Sequence, residues 1–424
     1  MTFFTALRSS SVRWAGPLLL VITGLYYTAG ETAPPDTYHH WAPAIVSAPL
    51  MVLYALAYAA AAALSLWESG RLRKARIWEL SPARNRYRVA ANALWPVVLL
   101  CWLVLLVPAA VSLARSGTAP SADALRLPAM GMVLVVAHAV IGFALGILLP
   151  RVIGAPIIAV ADWIAVAFTR ATEPYWLRHV SGQFADISFG EVPRFVSVAA
   201  PVLLAGGVAV GLLALWLPLP RPLGALLGLL IAVSGALGAH HLARDWPHTP
   251  PMATGRAPVD CAGERPRLCL PHMAAGNLAQ EQREAARVLR TLRAAGVADA
   301  DPARIDDVLN GPASPDSARR VWRLNLVSAH RTDEVGYQVM VQALRFRCPR
   351  TPVESAHAVW LWGANRTGTV DVYRERRRAE GDSEASRGTE AKVGDTVREV
   401  LRTSHDAQAD WVRRSLASCA EDGA

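Results

Sequence analysis

Apolar positions are distributed unevenly along this chain. Before about residue 240 they form near-continuous stretches, and after it they recur at helical spacing between charged residues. Seven stretches are long enough, at about 1.5 Å per helical residue, to cross roughly 30 Å of hydrocarbon. They run from Trp14 to Ala29, Ile45 to Trp67, Val89 to Ala114, Met130 to Leu149, Val152 to Phe168, Phe195 to Leu217 and Leu223 to Ala239. The pattern predicts an all-α integral membrane domain over residues 1–245, followed by a soluble domain over residues 246–424. In the soluble part Val288, Leu289, Leu292 and Ala295 form one stripe ended by Gly296, within a helix from about Gln280. A second helix starts near Glu334, and a third opens at Thr351-Pro352-Val353-Glu354, a capping box, and stops at Gly363. A last helix covers Thr396 to Ala417. Trp322, Leu324 and Leu326 alternate and predict a strand, so this domain is expected to be mainly α with one or two short strands. Residues 374–393, polar and mixed in charge, predict a loop.

Charge refines the picture. The chain carries +9 overall, but residues 1–240 hold 16 basic and 9 acidic side chains, whereas the remainder holds 27 and 25. An excess placed in the membrane part is a topology signal and argues against a nucleic-acid surface. The segment RLRKARIWELSPARNRYR, with Arg71, Arg73, Lys74, Arg76, Arg84, Arg86 and Arg88, is expected in the cytoplasm. With seven crossings the N-terminus is then cytoplasmic, the first span is an uncleaved signal anchor, and the tail is extracytoplasmic in the cell envelope. A re-entrant fifth span, short and carrying Pro156 and Asp162, would return the tail to the cytoplasm.

Ionisable groups within spans are costly, at about 2.5–3.5 kcal/mol on insertion scales. His138 and Asp162 lie near the middle of consecutive antiparallel spans. They read either as a proton-relay or polar-substrate pair, or as a satisfied bundle histidine and a carboxylate capping a short helix. Gly207 with Gly211 and Gly224 with Gly228 have the small-residue spacing that favours close helix packing or a homodimer. Leu72, Ala75 and Trp78 recur every three residues among Arg71, Arg73, Lys74 and Arg76 until Ser81-Pro82. That spacing predicts a short amphipathic helix at the membrane face, which either meets a partner or only sets topology and contacts lipid.

This layout, with a basic helical loop after the second span, a tight turn between the fourth and fifth and a polar outer segment before the sixth, resembles the exporter-type ABC permeases over roughly residues 1–218. In that family the corresponding loop is a coupling helix docked on a separate ATPase, and the resemblance gives residues 69–80 that role. A seventh span and a large outer domain depart from the family pattern. With them the chain looks closest to multispanning membrane proteins of GC-rich Gram-positive bacteria that carry such a tail.

No phosphate-binding G-x-x-x-x-G-K-[ST], H-E-x-x-H or G-x-S-x-G occurs, so no enzymatic activity and no cofactor are expected. His39, His40, His240, His241, His248 and His272 are expected on the outer side, where imidazoles can hold zinc or copper, yet their spacing fixes no geometry and no metal ligand is assigned. Four cysteines, Cys261, Cys269, Cys348 and Cys419, fall in the outer domain, and Cys101 falls in a span. An even set in an oxidising space predicts disulfides. Of three pairings, the one expected joins Cys261 to Cys269 and Cys348 to Cys419. Three functions follow: a transport permease subunit or accessory acting with a separate ATPase, a membrane-anchored sensor or envelope interaction protein, and a surface metallohydrolase.

Overall fold

The structure, a computed structural model, describes residues 9–29, 40–80, 85–184, 187, 189–255, 259–297, 300–306, 321–324, 332–346, 352–379 and 384–418. It divides into two compact units, Met1–Gly255 and Arg256–Ala424. The boundary falls later than residue 245 because β1 (Glu191–Pro193) pairs antiparallel with β2 (Met252–Thr254), which ties the segment after the last long helix to the first unit.

Helices occupy all seven apolar stretches: α1 (Val12–Ala29), α2 (Ala42–Lys74), α4 (Arg86–Arg115), α5 (Arg126–Leu148), α6 (Arg151–Ala167), α8 (Phe195–Ala214) and α9 (Arg221–Ala243), with the one-turn α3 (Ile77–Leu80) after α2 and the short α7 (Trp176–Val180) before β1. Five of them, α2, α4, α5 with its leading turn, α8 and α9, are long and apolar enough to cross a membrane. That is two fewer than the seven expected. α1 is diluted by Arg13, Thr23, Tyr26, Tyr27 and Thr28, and α6 ends after 17 residues in a 3-10 turn. Large apolar side chains cover the outside. On α4, Leu99, Leu103, Val107 and Val111 form one exposed row, and α9 exposes Leu226, Leu229, Leu230, Val233 and Leu237. Such a surface suits lipid and not water. The protein is a multi-pass membrane protein.

α2 is buried on every side along most of its 33 residues, as expected of a helix that is apolar all round. Leu50, Leu53, Tyr54, Ala57, Tyr58, Ala61 and Leu66 are essentially inaccessible. Its Ala-rich middle lets α5 approach backbone to backbone. A Cβ on Gly142 would run into the Ala62 carbonyl, and one on Gly146 into the Leu66 carbonyl. α4 and α6 pack on other sides of the same helix. A second glycine seam joins α8 to α9, where Gly211 faces the Gly228 backbone and Gly207 faces Gly235. The small-residue spacings there are consumed within the chain, not left for a second copy.

The second unit holds a four-stranded sheet in the order β3-β4-β5-β6: β3 (Val259–Ala262), β4 (Arg267–Pro271), β5 (Arg304–Asp306) and β6 (Val321–Arg323). β3 and β4 form an antiparallel hairpin, and β4, β5 and β6 run parallel. α10 (Leu278–Ala294) connects β4 to β5 and places Ala285, Val288, Leu289 and Leu292 on Leu268, Leu270, Ile305 and Trp322. α11 (Thr332–Ala343), α12 (Val353–Thr367), α13 (Val370–Ala379), α14 (Glu384–Leu401) and α15 (His405–Ala417) complete the core. Three expectations are corrected here. α12 passes through Gly363, which lets Met340 and Leu344 pack closely, and stops at Gly368 in the left-handed conformation. Residues 374–379 and 384–393 are helical, not loop, because Arg377 on α13 pairs with Glu390 on α14 at 2.7 Å and Val393 and Val397 are buried. The final helix is two, α15 being restarted by Ser404, whose side chain accepts from Ala407 N.

The α2–α5 seam yields a prediction. Gly142→Leu should destabilise the purified protein by about 1–3 kcal/mol or more through overpacking, seen as a lowered thermal transition in detergent. Gly24→Leu, where no atom lies within 4 Å of the added Cβ, should leave the transition in place.

Candidate functional site

The two ionisable residues singled out within the spans meet. His138 Nδ1 donates to Asp162 Oδ2 at 2.8 Å, tying α5 to α6 in a region where both lean on α2. The imidazole lies flat on the Tyr58 ring, with centroids 4.9 Å apart and planes 12° apart, and Tyr54 stacks on Tyr58 in turn at 5.7 Å. The Tyr54 hydroxyl donates to the Leu127 carbonyl at 3.2 Å, and that of Tyr58 to the Gly182 carbonyl at 3.4 Å. His138 and Asp162 side chains are 14% and 12% exposed, so the pair is largely, though not wholly, enclosed. A proton donated by an imidazole to a carboxylate can be shared between them. It also satisfies two groups that lipid cannot satisfy.

The chain between α6 and α8 closes over this region, which the sequence pattern showed only as a polar outer segment. Phe184 and Ile187 are buried in the core of the bundle. Gln183 Nε2 donates to Met51 O at 2.6 Å, and Ile187 N donates to Ser47 Oγ at 3.2 Å, both partners being on α2. Gly182, at φ +82°, fits because a Cβ would press on Leu134 and Tyr58. On α7 His179 donates from Nε2 to Pro247 O at 2.8 Å and packs against Trp246. Burial pushes its pKa below the usual 6.5.

At the Arg-rich end the cationic segment is built into the fold. α2 continues as one helix to Lys74, breaks at Arg76, whose φ is +50°, and resumes as α3. The expected amphipathic helix is therefore the end of a span plus a single turn. Arg71 pairs with Glu68 at 2.7 Å, and Glu68, fully buried, accepts from Ser11 N at 2.6 Å at the start of α1. Arg73 donates to the carbonyls of Ile147 and Leu149 at 2.7 and 3.0 Å and so caps the C-terminus of α5. Trp78 turns inward onto Phe143 and Trp216. Arg151 lies over Trp67 at 4.8 Å. Lys74 and Arg76 point outward, Arg76 toward Glu79 at 4.0 Å. Glu68 and Arg151 were missed in the sequence; an isolated carboxylate three residues before an arginine at a span end was the available signal.

In the second unit Cys261 and Cys269 are directly paired across β3 and β4 and joined by a disulfide. Cys348 and Cys419, like His39, lie outside the described residues, and Cys101 is a buried free thiol. A cavity of about 400 Å³ opens between α11 and α12, lined by Leu344, Arg345, Phe346, His357 and Trp360. The buried Trp360 indole N–H has no partner among the described residues. Next to His357, at 3.6 Å, Glu390 accepts from Arg377 and from the Tyr373 hydroxyl. Burial, then that carboxylate, push the Tyr373 pKa up. Among the described residues no three of His, Cys, Asp and Glu stand together as a metal site. His40 bonds Thr118, His240 packs on Trp176, His248 on Tyr175, and His272 bonds Asp260.

Two measurements follow. A double-mutant cycle with His138→Ala and Asp162→Ala, read by unfolding in mixed micelles, should give a coupling of about 1 kcal/mol; additive effects would show a contact without energetic content. Because the folded-state pKa of His179 lies below its unfolded value, its contribution is intact above pH 6.5 and is lost as pH falls through that value toward the lowered one. The wild type should therefore lose thermal stability on acidification more steeply than His179→Asn.

Comparison with family models, curated proteins and solved structures finds no match to this chain.

Proposed function

We propose that the chain is a membrane-anchored binding protein, not an enzyme, whose second unit lies on the extracytoplasmic side and meets a ligand or envelope partner. The observation that carries this reading is the Cys261–Cys269 disulfide, a bond that a reducing cytoplasm does not sustain. It staples the hairpin whose second strand, β4, lies next to β5 in the sheet, and it leaves the sheet's core to α10. The cavity between α11 and α12, with aromatic walls and one arginine, offers such a unit a binding surface of ordinary ligand-site size. The first unit serves as its anchor, with the Arg-rich end in the cytoplasm; α6, although short, carries the chain to the opposite end, where Trp41 before α2 donates to Glu191 O of β1.

A transport subunit driven by a separate ATPase is the second reading. Lys74 and Arg76 favour it, since both are exposed beside a one-turn helix that Trp78 pins to the bundle. Arg71 and Arg73 do not add to it, because each already bonds within the fold. A fair test of docking therefore changes Lys74 and Arg76 and spares Arg73.

The deciding measurement is thiol labelling in a background carrying Cys348→Ser and Cys419→Ser. In intact cells a membrane-impermeant maleimide should label Cys261 and Cys269 only after reduction. Labelling that needs permeabilisation but no reductant would place the unit in the cytoplasm. Co-purification of an ATPase, abolished by Lys74→Glu with Arg76→Glu, would then establish the second reading.

A further inference from the structure

The Arg-rich end of the first unit contains a cavity that neither reading uses. It measures about 320 Å³ and is walled by the terminal turns of three helices: Ala90 and Leu94 of α4, Phe143 and Ile147 of α5, and Leu213 with Trp216 at the end of α8. All its lining side chains are apolar or aromatic. Its surroundings are cationic. Arg86 stands four residues before Ala90 and eight before Leu94, so it continues the lining row of α4 by one turn, and it is exposed. Arg88 is exposed too, but two residues on it stands on another face of α4. Arg73 holds the carbonyls on either side of Leu148, another lining residue, and so fixes a second positive charge there. Among the described residues neither Arg86 nor Arg73 is paired with a carboxylate. The first turn of α4 adds the positive end of its helix dipole. Tyr87, whose hydroxyl donates to Leu213 O at 2.8 Å, packs with Trp216 and, through it, with Trp78, an aromatic group of the kind found at the polar boundary of a bilayer.

An apolar slot at the depth of acyl chains, beneath unneutralised arginines at the depth of headgroups, is complementary to one chemistry. We propose that this cavity binds an anionic phospholipid from the adjoining leaflet, with an acyl chain between α4, α5 and α8 and the phosphate at Arg86 and Arg73. A soluble apolar ligand would leave the arginines unpaired, and a choline headgroup would set a cation against them.

The test uses the full-length protein, purified in detergent and incubated with equal amounts of dioleoyl phosphatidylglycerol and dioleoyl phosphatidylcholine, with retained lipid counted by native mass spectrometry. The wild type should retain phosphatidylglycerol preferentially. Arg86→Gln should lower the ratio about fivefold, the equivalent of about 1 kcal/mol for a cation near an anionic surface, and Arg88→Gln, on another face of α4, should lower it less. Ala144→Phe, which fills the cavity, should abolish retention of both lipids while circular dichroism shows the helices intact. Equal retention of the two lipids by the wild type would overturn the proposal, as would a preference that survives the filled cavity or competition by glycerol 3-phosphate alone.

Discussion

The membrane unit depends on one close approach, the passage of α5 across the Ala-rich middle of α2 with glycine against backbone carbonyl. Lipid tails are as apolar as leucine, so two membrane helices gain little from hiding apolar area and must gain from contact itself. Gly142 and Gly146 permit that contact, and Ala57, Ala61 and Ala62 offer a surface smooth enough to receive it. α4 and α6 then pack on the remaining sides of α2, which leaves α2 without an exposed face. Placing α6 there, next to α5, is what brings Asp162 to His138.

Once α2 is enclosed, its polar atoms can be satisfied only from within, and most are, Ser65 Oγ and Ser69 Oγ having no partner among the described residues. Ser47 and the Met51 carbonyl are met by Ile187 and Gln183 of the segment before β1, Tyr58 reaches Gly182, and Tyr54 reaches Leu127. Glu68 is met by the first turn of α1 and by Arg71. Arg73 answers a different need, the orphan carbonyls at the end of α5. Arg73, one of the cations expected to set topology, therefore also closes a helix end, which is why charge reversal there mixes folding with docking.

What the sequence revealed depended on where its signal was local. Apolar run length located seven of the nine helices described in the first unit, since burial in lipid or protein needs the same composition, although α2 runs on past Trp67 to Lys74. It did not separate spans from shorter helices, because the 17 residues of α6 differ from a span by one turn. The contact of His138 and Asp162 was legible from their place in antiparallel neighbours; Glu68 was not, because it sits at a span end where charge is ordinary. In the second unit, β4 escaped detection. Leu268, Cys269, Leu270 and Pro271 are all buried, so no alternation appears, and β5 and β6 are three residues each. The helices over 374–393 were missed because their stability rests on Arg377 with Glu390 and Tyr373, contacts between separate segments rather than along one face.

α5 shows what hydropathy conceals. Its residues are apolar on every face, yet at about 100° per residue they sort by size. Gly131, Gly142 and Gly146 fall on one side, toward α2, and His138 lies at the edge of that side. Val140, Phe143, Ala144 and Ile147 fall on the other, around the cavity, with Val133 and Val136 exposed beyond them. A helix of this kind is oriented by volume, since polarity gives it no preferred direction. Small residues specify which face meets another backbone, and branched or aromatic ones specify which face meets lipid. The spacing of Gly142 and Gly146 therefore carries the same information as that of Gly207 and Gly211. In both pairs the glycine side turns toward a neighbouring helix of the same chain, and the opposite side of α5 is left for the acyl chain that the cavity is shaped to receive.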